Sequence, residues 1–271
     1  MRDKIKKIIK QFLPPIIFNL YKSIFSKAHR SYSGFYKSFL ECRQKNIIAA
    51  GYNNPNYAKW SRDKTERYLK LPDYKRTTCY IQEIKFLIYA QVLLDRLGNI
   101  RIFDFGGGVG WQYIKLFRLK EFFKIYYTIY ELPEVVYISK DYFHNKGFKN
   151  IEFTDKMPGK DIKFDMCVLS SVLHYVEDYK GLLKDICLYN PKFIFISRLP
   201  AGDLQEFVTL QTINEASFPC YVFNWENIKK ILSDLNYSIF DEWEEAESFY
   251  LNSGGKKITL PVYKGALFVS H

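Results

Sequence analysis

The sequence predicts an α/β fold: a mostly parallel seven-stranded sheet with helices on both faces, plus a basic helical N-terminal extension. Three observations predict it. After residue 98, apolar runs of strand length alternate with amphipathic runs of helix length. The first of those apolar runs ends in a glycine cluster, Asp104-Phe-Gly-Gly-Gly-Val-Gly110. A chain of 271 residues can bury one sizeable core with a smaller appendage.

Residues 1–97 form the extension. Ile5, Ile8, Ile9, Phe12 and Leu13 share one helical face, and Lys4, Lys6, Lys7 and Lys10 fall largely on the other. Pro14-Pro15 stops that helix. The apolar stretch after it is interrupted by Asn19 and Lys22, short of the roughly 20 apolar residues of a membrane span. It also lacks the apolar core and cleavage site of a signal peptide. A basic amphipathic segment of this kind, residues 1–27, can lie on an anionic membrane surface. The alternative is that its apolar face packs on the protein's own core or on a partner. Residues 31–77 are aromatic and polar, with a turn expected over 51–57. A long helix follows over 78–97, with Ile81, Ile84, Leu87, Ile88, Gln91 and Leu94 near one face, and Gly98-Asn99 ends it.

Residues 98–271 form the second unit. Strands are expected at 100–104, 125–130, 149–153, 164–169, 192–197, 237–241 and 264–269, and helices at 110–120, 133–145, 174–187 and 225–235. Charge divides at the same place. Residues 1–100 carry 20 Lys/Arg against 7 Asp/Glu, a net of +13, and the remainder carries 20 against 22, so the overall +11 belongs to the first part. That favours an anionic substrate or surface meeting the extension. The five cysteines, an odd number without disulfide or zinc spacing, fit a reducing cytoplasm. The scattered histidines suggest no metal. Asn54-Pro55-Asn56-Tyr57 resembles the motif of amino-group methyltransferases acting on nucleic acid, but lacks its second proline and follows no strand. A nucleic-acid partner is not expected.

In a parallel sheet, ligands bind beyond the carboxyl ends of the strands. The loop there reads Asp104-x-Gly106-x-Gly108-x-Gly110, with Gly107 between. Such a turn lets a ligand lie against bare backbone. It misses the dinucleotide pattern G-x-G-x-x-G, whose third glycine would fall on Trp111 or Tyr113, and it has no Walker lysine. Glu131 closes the second strand, 25 residues after Gly106. An acid there can accept hydrogen bonds from both ribose hydroxyls of an adenosine cofactor. A helix-start acid before Pro133 fits the same position. After the third strand, Asp155 can accept from an adenine amino group and Met157 can pack on the ring; a solvated turn fits equally. After the fourth strand, Ser170-Ser-Val-Leu-His174-Tyr175 places an imidazole where it can take a hydroxyl proton. A buried histidine at a helix start is the alternative. Arg198, ending the fifth strand, can hold an anionic acceptor by a bidentate pair, or can form a structural salt bridge.

The loop spacing resembles the first motif of class I S-adenosylmethionine (SAM) methyltransferases. The resemblance narrows with Asp-Phe-Gly-Gly-Gly at 104–108, Glu-Leu-Pro at 131–133, Leu-Ser-Ser-Val-Leu-His-Tyr at 169–175, Ser-Arg-Leu-Pro at 197–200 and Lys-Gly-Ala-Leu-Phe at 264–268. Together with Tyr-Ser-Gly at 32–34 and Ala-Ala-Gly-Tyr at 49–52, they are similar to a small bacterial methyltransferase family associated with surface-polysaccharide gene clusters. The resemblance covers most of the chain. It implies a Rossmann-like fold and SAM as cofactor, held by Asp104, Gly106, Gly107, Gly108, Gly110, Glu131, Leu132, Asp155 and Ser170. It implies His174 as the catalytic position, although the family often has Gln there, and Tyr175 and Arg198 on the acceptor side. The expected reaction is O-methylation of a sugar or of a nucleotide-linked or phosphoryl precursor. A non-catalytic SAM-binding module of the same fold is the alternative.

Overall fold

A computed structural model describes residues 30–46, 80–119, 121–213, 216–245, 250–253, 256–259 and 263–271, with scattered positions from 48 to 70. The expected amphipathic segment 1–27, the turn at 51–57 and the 49–52 motif lie outside the described residues.

The first part of the chain gives β1 (Arg30–Tyr36), α1 (Phe39–Lys45) and α2 (Ile81–Leu97). Next come β2 (Ile100–Phe105), α3 (Trp111–Lys115), β3 (Ile125–Tyr130), α4 (Pro133–Asn145) and β4 (Ile151–Thr154). Then follow β5 (Met166–Ser170), α5 (Tyr179–Cys187), β6 (Phe193–Gly202), β7 (Phe207–Ile213) and β8 (Ala216–Asn224). The chain closes with α6 (Trp225–Asp234), β9 (Tyr237–Glu245), β10 (Tyr250–Ser253), β11 (Lys256–Thr259) and β12 (Tyr263–Ser270).

The main sheet has the order β4-β3-β2-β5-β6-β12-β9. Its first five strands are mutually parallel, and β12 runs antiparallel to both β6 and β9. These are the seven strands expected from sequence. Both faces are covered, which is why β5 reads as a continuous apolar run rather than an alternating one. Adjacent residues of β2 enter opposite core layers. Ile102 joins Phe86, Leu93, Leu94 and Phe195 under α2; Phe103 joins Leu183, Ile186 and Ile228 under α5 and α6. Local chemistry fixes the helix starts. Asp178 caps α5 by accepting from the Gly181 amide at 2.9 Å, Asn224 caps α6 from Asn227 at 3.0 Å, and Pro133 opens α4.

The structure departs from expectation in the extension and beyond β6. The extension was expected to be helical, yet its described residues include β1, which pairs antiparallel with β7 and parallel with β10. A second sheet, β11-β10-β1-β7-β8, results. It joins the first where the end of β6 pairs with β8, Ala201 opposite Phe223 and Gly202 opposite Asn224. Helix α2 lies on the main sheet: Phe86 meets Phe195 edge-on with ring centroids 5.7 Å apart, and Lys85 pairs with Asp241 of β9. The expected helix over 174–187 begins only at Tyr179, after a 3₁₀ turn at Leu173–Tyr175. The helix expected over 110–120 is a five-residue α3 followed by a 3₁₀ turn at Leu116–Arg118.

Candidate functional site

Strand β2 lies between β3 and β5, so the chain leaves it to one side and later returns on the other. This switch point opens a crevice at the carboxyl edge, and the glycine loop occupies it. Gly106, Gly108 and Gly110 have left-handed φ values of 70°, 59° and 77°. The Gly106 amide donates to Tyr130 O at 2.8 Å, which ties the loop to β3. A side chain on Gly106 would run into Val172. One on Gly107 would come within 2.5 Å of Asp104 Oδ2, and one on Gly110 within 2.9 Å of the Phe143 ring. Gly108 differs: among the described residues, a β-carbon there would meet no atom within 4 Å.

Several polar groups lie at the loop and the strand ends beside it. Asp104 is 1% exposed; Tyr127 donates to its Oδ2 at 2.8 Å, and Oδ1 has no partner. Burial pushes the Asp104 carboxyl up to about 7, against the lowering effect of the Tyr127 hydrogen bond. Glu131 accepts from the Leu132 amide at 2.6 Å and from the Gly108 amide. Burial raises its pKa despite those donors. Gln112 donates to Ser170 Oγ at 3.3 Å, and Ser197 Oγ donates to the same oxygen at 2.8 Å. The Gln112 carbonyl oxygen is buried without a partner.

The remaining expected residues divide. Leu132 is exposed as the residue before α4, and Ser170 ends β5 beside Gln112. Asp155 is exposed just beyond β4, and Met157 is half-buried in the layer that holds Phe105 and Tyr130. His174 is 1% exposed, its ring centroid 3.9 Å from that of Tyr175. Tyr175 donates to Gln211 Oε1 at 2.5 Å, which binds it to the second sheet. Gln211 in turn donates to the Tyr32 hydroxyl, which lies 2.6 Å from that of Tyr263. Arg198 forms a salt bridge, one of its two expected alternatives. Its φ is 55°, its amide donates to Glu245 Oε1 at 2.9 Å, its guanidinium lies 3.7 Å from Glu245 Oε2, and it stacks over the Tyr263 ring. A pair with a carboxylate 47 residues away is invisible to local pattern.

Sequence reasoning missed Gln112, Gln211, Tyr32 and Tyr263. Gln112 sits one position into α3 and carries no spacing signal; the other three meet only through sheet pairing. Among the described residues, no cluster of His, Cys, Asp or Glu could hold a metal ion, and no helix is long and apolar enough to cross a membrane. Chemically, the carboxyl edge offers a bare-backbone opening, flanking acids and buried acceptors without donors.

No protein-family model and no curated protein matches the chain. Solved structures do. Magnesium protoporphyrin IX methyltransferase from Synechocystis, with bound SAH, shares 14% identity over 79% of this chain and 96% of that one, at a TM-score of 0.50. The 1,6-didemethyltoxoflavin-N1-methyltransferase of Burkholderia thailandensis shares 14% over 83% and 92%, at 0.48. An S-adenosylmethionine-dependent methyltransferase from Clostridium acetobutylicum shares 14% over 77% and 98%, at 0.47. With the strand order, the antiparallel β12 and the glycine loop at the switch point, the first of these likenesses establishes that the chain has the Rossmann-like methyltransferase fold.

Proposed function

We propose that this protein is a SAM-dependent methyltransferase acting on a hydroxyl of a small molecule or glycan precursor. One observation carries the reading. Of the four loop glycines, three are packed shut, and Gly108 is left-handed and open beside Glu131. The residues fit the cofactor. The Gly108 backbone leaves room for ligand atoms, and Glu131 would accept the ribose hydroxyls. The buried Gln112 oxygen lacks a donor, which an aminoacyl ammonium would supply. Leu132 would cover the nucleoside, Asp155 would accept from its amino group, and Ser170 would border the sulfur end.

When bound, SAM supplies a methyl group already activated on sulfur, so positioning the acceptor provides much of the rate. Tyr175, half-buried on the turn after β5, is the acceptor-side group, with Gln211 and His174 behind it. His174 has the chemistry of a base at neutral pH. Its burial supports a role in orienting Tyr175 as well; in His174→Ala, loss of turnover with normal cofactor affinity supports either role, and unaffected turnover makes the imidazole structural.

The motif resemblance and the basic first hundred residues support a sugar or a nucleotide-linked or phosphoryl precursor of a bacterial surface polysaccharide as acceptor. The same reading keeps the protein in the cytoplasm, with residues 1–27 touching anionic lipid at the inner membrane face. Sedimentation with anionic vesicles, with and without residues 1–13, tests that contact; it should weaken as salt rises. The burial of His174 also favours a second reading, a SAM-binding module without activity.

Calorimetry with S-adenosylhomocysteine and with NAD tests the cofactor. Binding of NAD with no response to S-adenosylhomocysteine overturns the proposal. Labelled methyl transfer to a panel of nucleotide-linked sugars then separates enzyme from module.

A further inference from the structure

Helix α3 has only five residues, too few to hold its shape alone, yet it fixes one end of the glycine loop. Gly110 is its cap, and the Ile114 amide donates to Gly110 O at 3.1 Å. Any shift of α3 therefore moves Gly108–Gly110 directly. Tertiary contacts must hold it. On one side the Tyr113 ring meets Phe117, Tyr127, Phe143 and Phe148. On the other, the last residue of α3 is Lys115, whose ammonium is buried with 2% side-chain exposure. It pairs with Glu83 in the first turn of α2 and lies 5.3 Å from the centre of the Trp111 ring.

Burying a lysine ammonium is unfavourable unless a counter-charge meets it. A core position needs only an apolar side chain, so an ion pair here is not explained by packing. An ion pair does fix register, because an ammonium and a carboxylate satisfy each other in one arrangement, whereas apolar surfaces can slide. A second pair on α2 offers a comparison. Lys85, two residues on, meets Asp241 of β9 on the far side of the sheet from the loop's own strand pair, with the Tyr89 hydroxyl on the same carboxylate.

We infer that Glu83 and Lys115 are positioning residues for the cofactor: their buried pair sets α3, and through it the Gly108 opening, against α2. The inference rests on the SAM reading. It makes α2, which precedes the first strand of the main sheet, part of the binding apparatus rather than a cover over it.

The test is calorimetry with S-adenosylhomocysteine, alongside thermal melting, on the full chain and four variants. Glu83→Gln and Lys115→Met should each weaken binding at least tenfold in protein that remains folded. Lys115→Arg keeps the charge and should recover most of the affinity. Asp241→Asn breaks the second α2 pair; it should lower the melting temperature while leaving affinity within twofold of the wild type. If Lys115→Met fails to fold, Glu83→Gln, nearly isosteric, decides the matter. Wild-type affinity in Glu83→Gln, or an equal loss in Asp241→Asn, overturns the inference: in the first case the pair does not set the loop, and in the second any loosening of α2 does the same. Absence of binding by the wild type overturns the cofactor reading itself, and the inference with it.

Discussion

At the carboxyl edge of β2, buried polar atoms lie beside the glycine loop. Among the described residues, Gln112 and Asp104 each keep a buried oxygen without a donor, and Gly108 presents bare backbone. Where β1 and β7 of the second sheet meet the main sheet, polar atoms close on one another. Tyr175, Gln211, Tyr32 and Tyr263 form one chain of hydrogen bonds, and Arg198 turns inward onto Glu245. Both regions bury polar groups, which is unfavourable without partners. The junction of the sheets removes the penalty internally; the carboxyl edge of β2 leaves it standing, as a site does whose missing partners come from a ligand. The contrast teaches where to look for binding: at the groups a folded chain leaves unsatisfied, rather than at its polar groups in general.

The comparison breaks most severely at the glycines. Gly108→Val should abolish S-adenosylhomocysteine binding in calorimetry while the protein still folds. The left-handed backbone adds roughly 1–2 kcal/mol of strain, but the side chain meets only the space a ligand needs. Gly107→Ala should do the reverse, lowering the melting temperature because its methyl meets Asp104. Glu131→Ala should weaken cofactor affinity by roughly ten- to a hundredfold, as expected for hydrogen bonds to a charged group. Unchanged affinity would make it a helix-start acid alone.

Gln211→Leu probes the closed region. It removes the acceptor of Tyr175 and the donor to Tyr32, at about 1–3 kcal/mol for the polar groups affected. Thermal melting should show a loss of several degrees, with cofactor affinity unchanged. The smallest effect is on pH dependence. Folding raises the Asp104 pKa to about 7, from roughly 3.9 in an unfolded chain. Between those values the native state holds a proton that the unfolded state has lost. Stability from this group therefore falls as pH rises from about 4 to about 7, and is level above that. Asp104→Asn, which can still accept from Tyr127, should remove that part of the slope.

Much of the main sheet was legible because burial on both faces writes uninterrupted apolar runs, as in β5 and the first half of β6. The loop was legible because left-handed turns select glycine. The second sheet was not. Its hairpin strands β7 and β8 carry buried Thr209, Gln211 and Ser217, and Pro219 lies within β8, so the pattern resembles neither a half-buried strand nor a core strand. The role of Arg198 was open for a related reason: both its alternatives need the same residue type, and the choice depends on Glu245, which only the sheet brings near.

The insertion of β1 between β7 and β10 bears on how the chain is made. The Tyr32 and Tyr263 hydroxyls that meet across this sheet are 231 residues apart. At usual rates of synthesis the first strand waits roughly ten to fifty seconds for its last partners. Until β7 and β10 are made, β1 stands without either neighbour, an unpaired strand of the kind on which nascent chains aggregate. A truncation that removes residues before 37 would put open edges into the finished protein instead, leaving β7 and β10 each one neighbour short. The practical consequence concerns expression: a shortened protein that keeps the entire glycine loop should still be lost to inclusion bodies, for want of a strand that touches none of the loop.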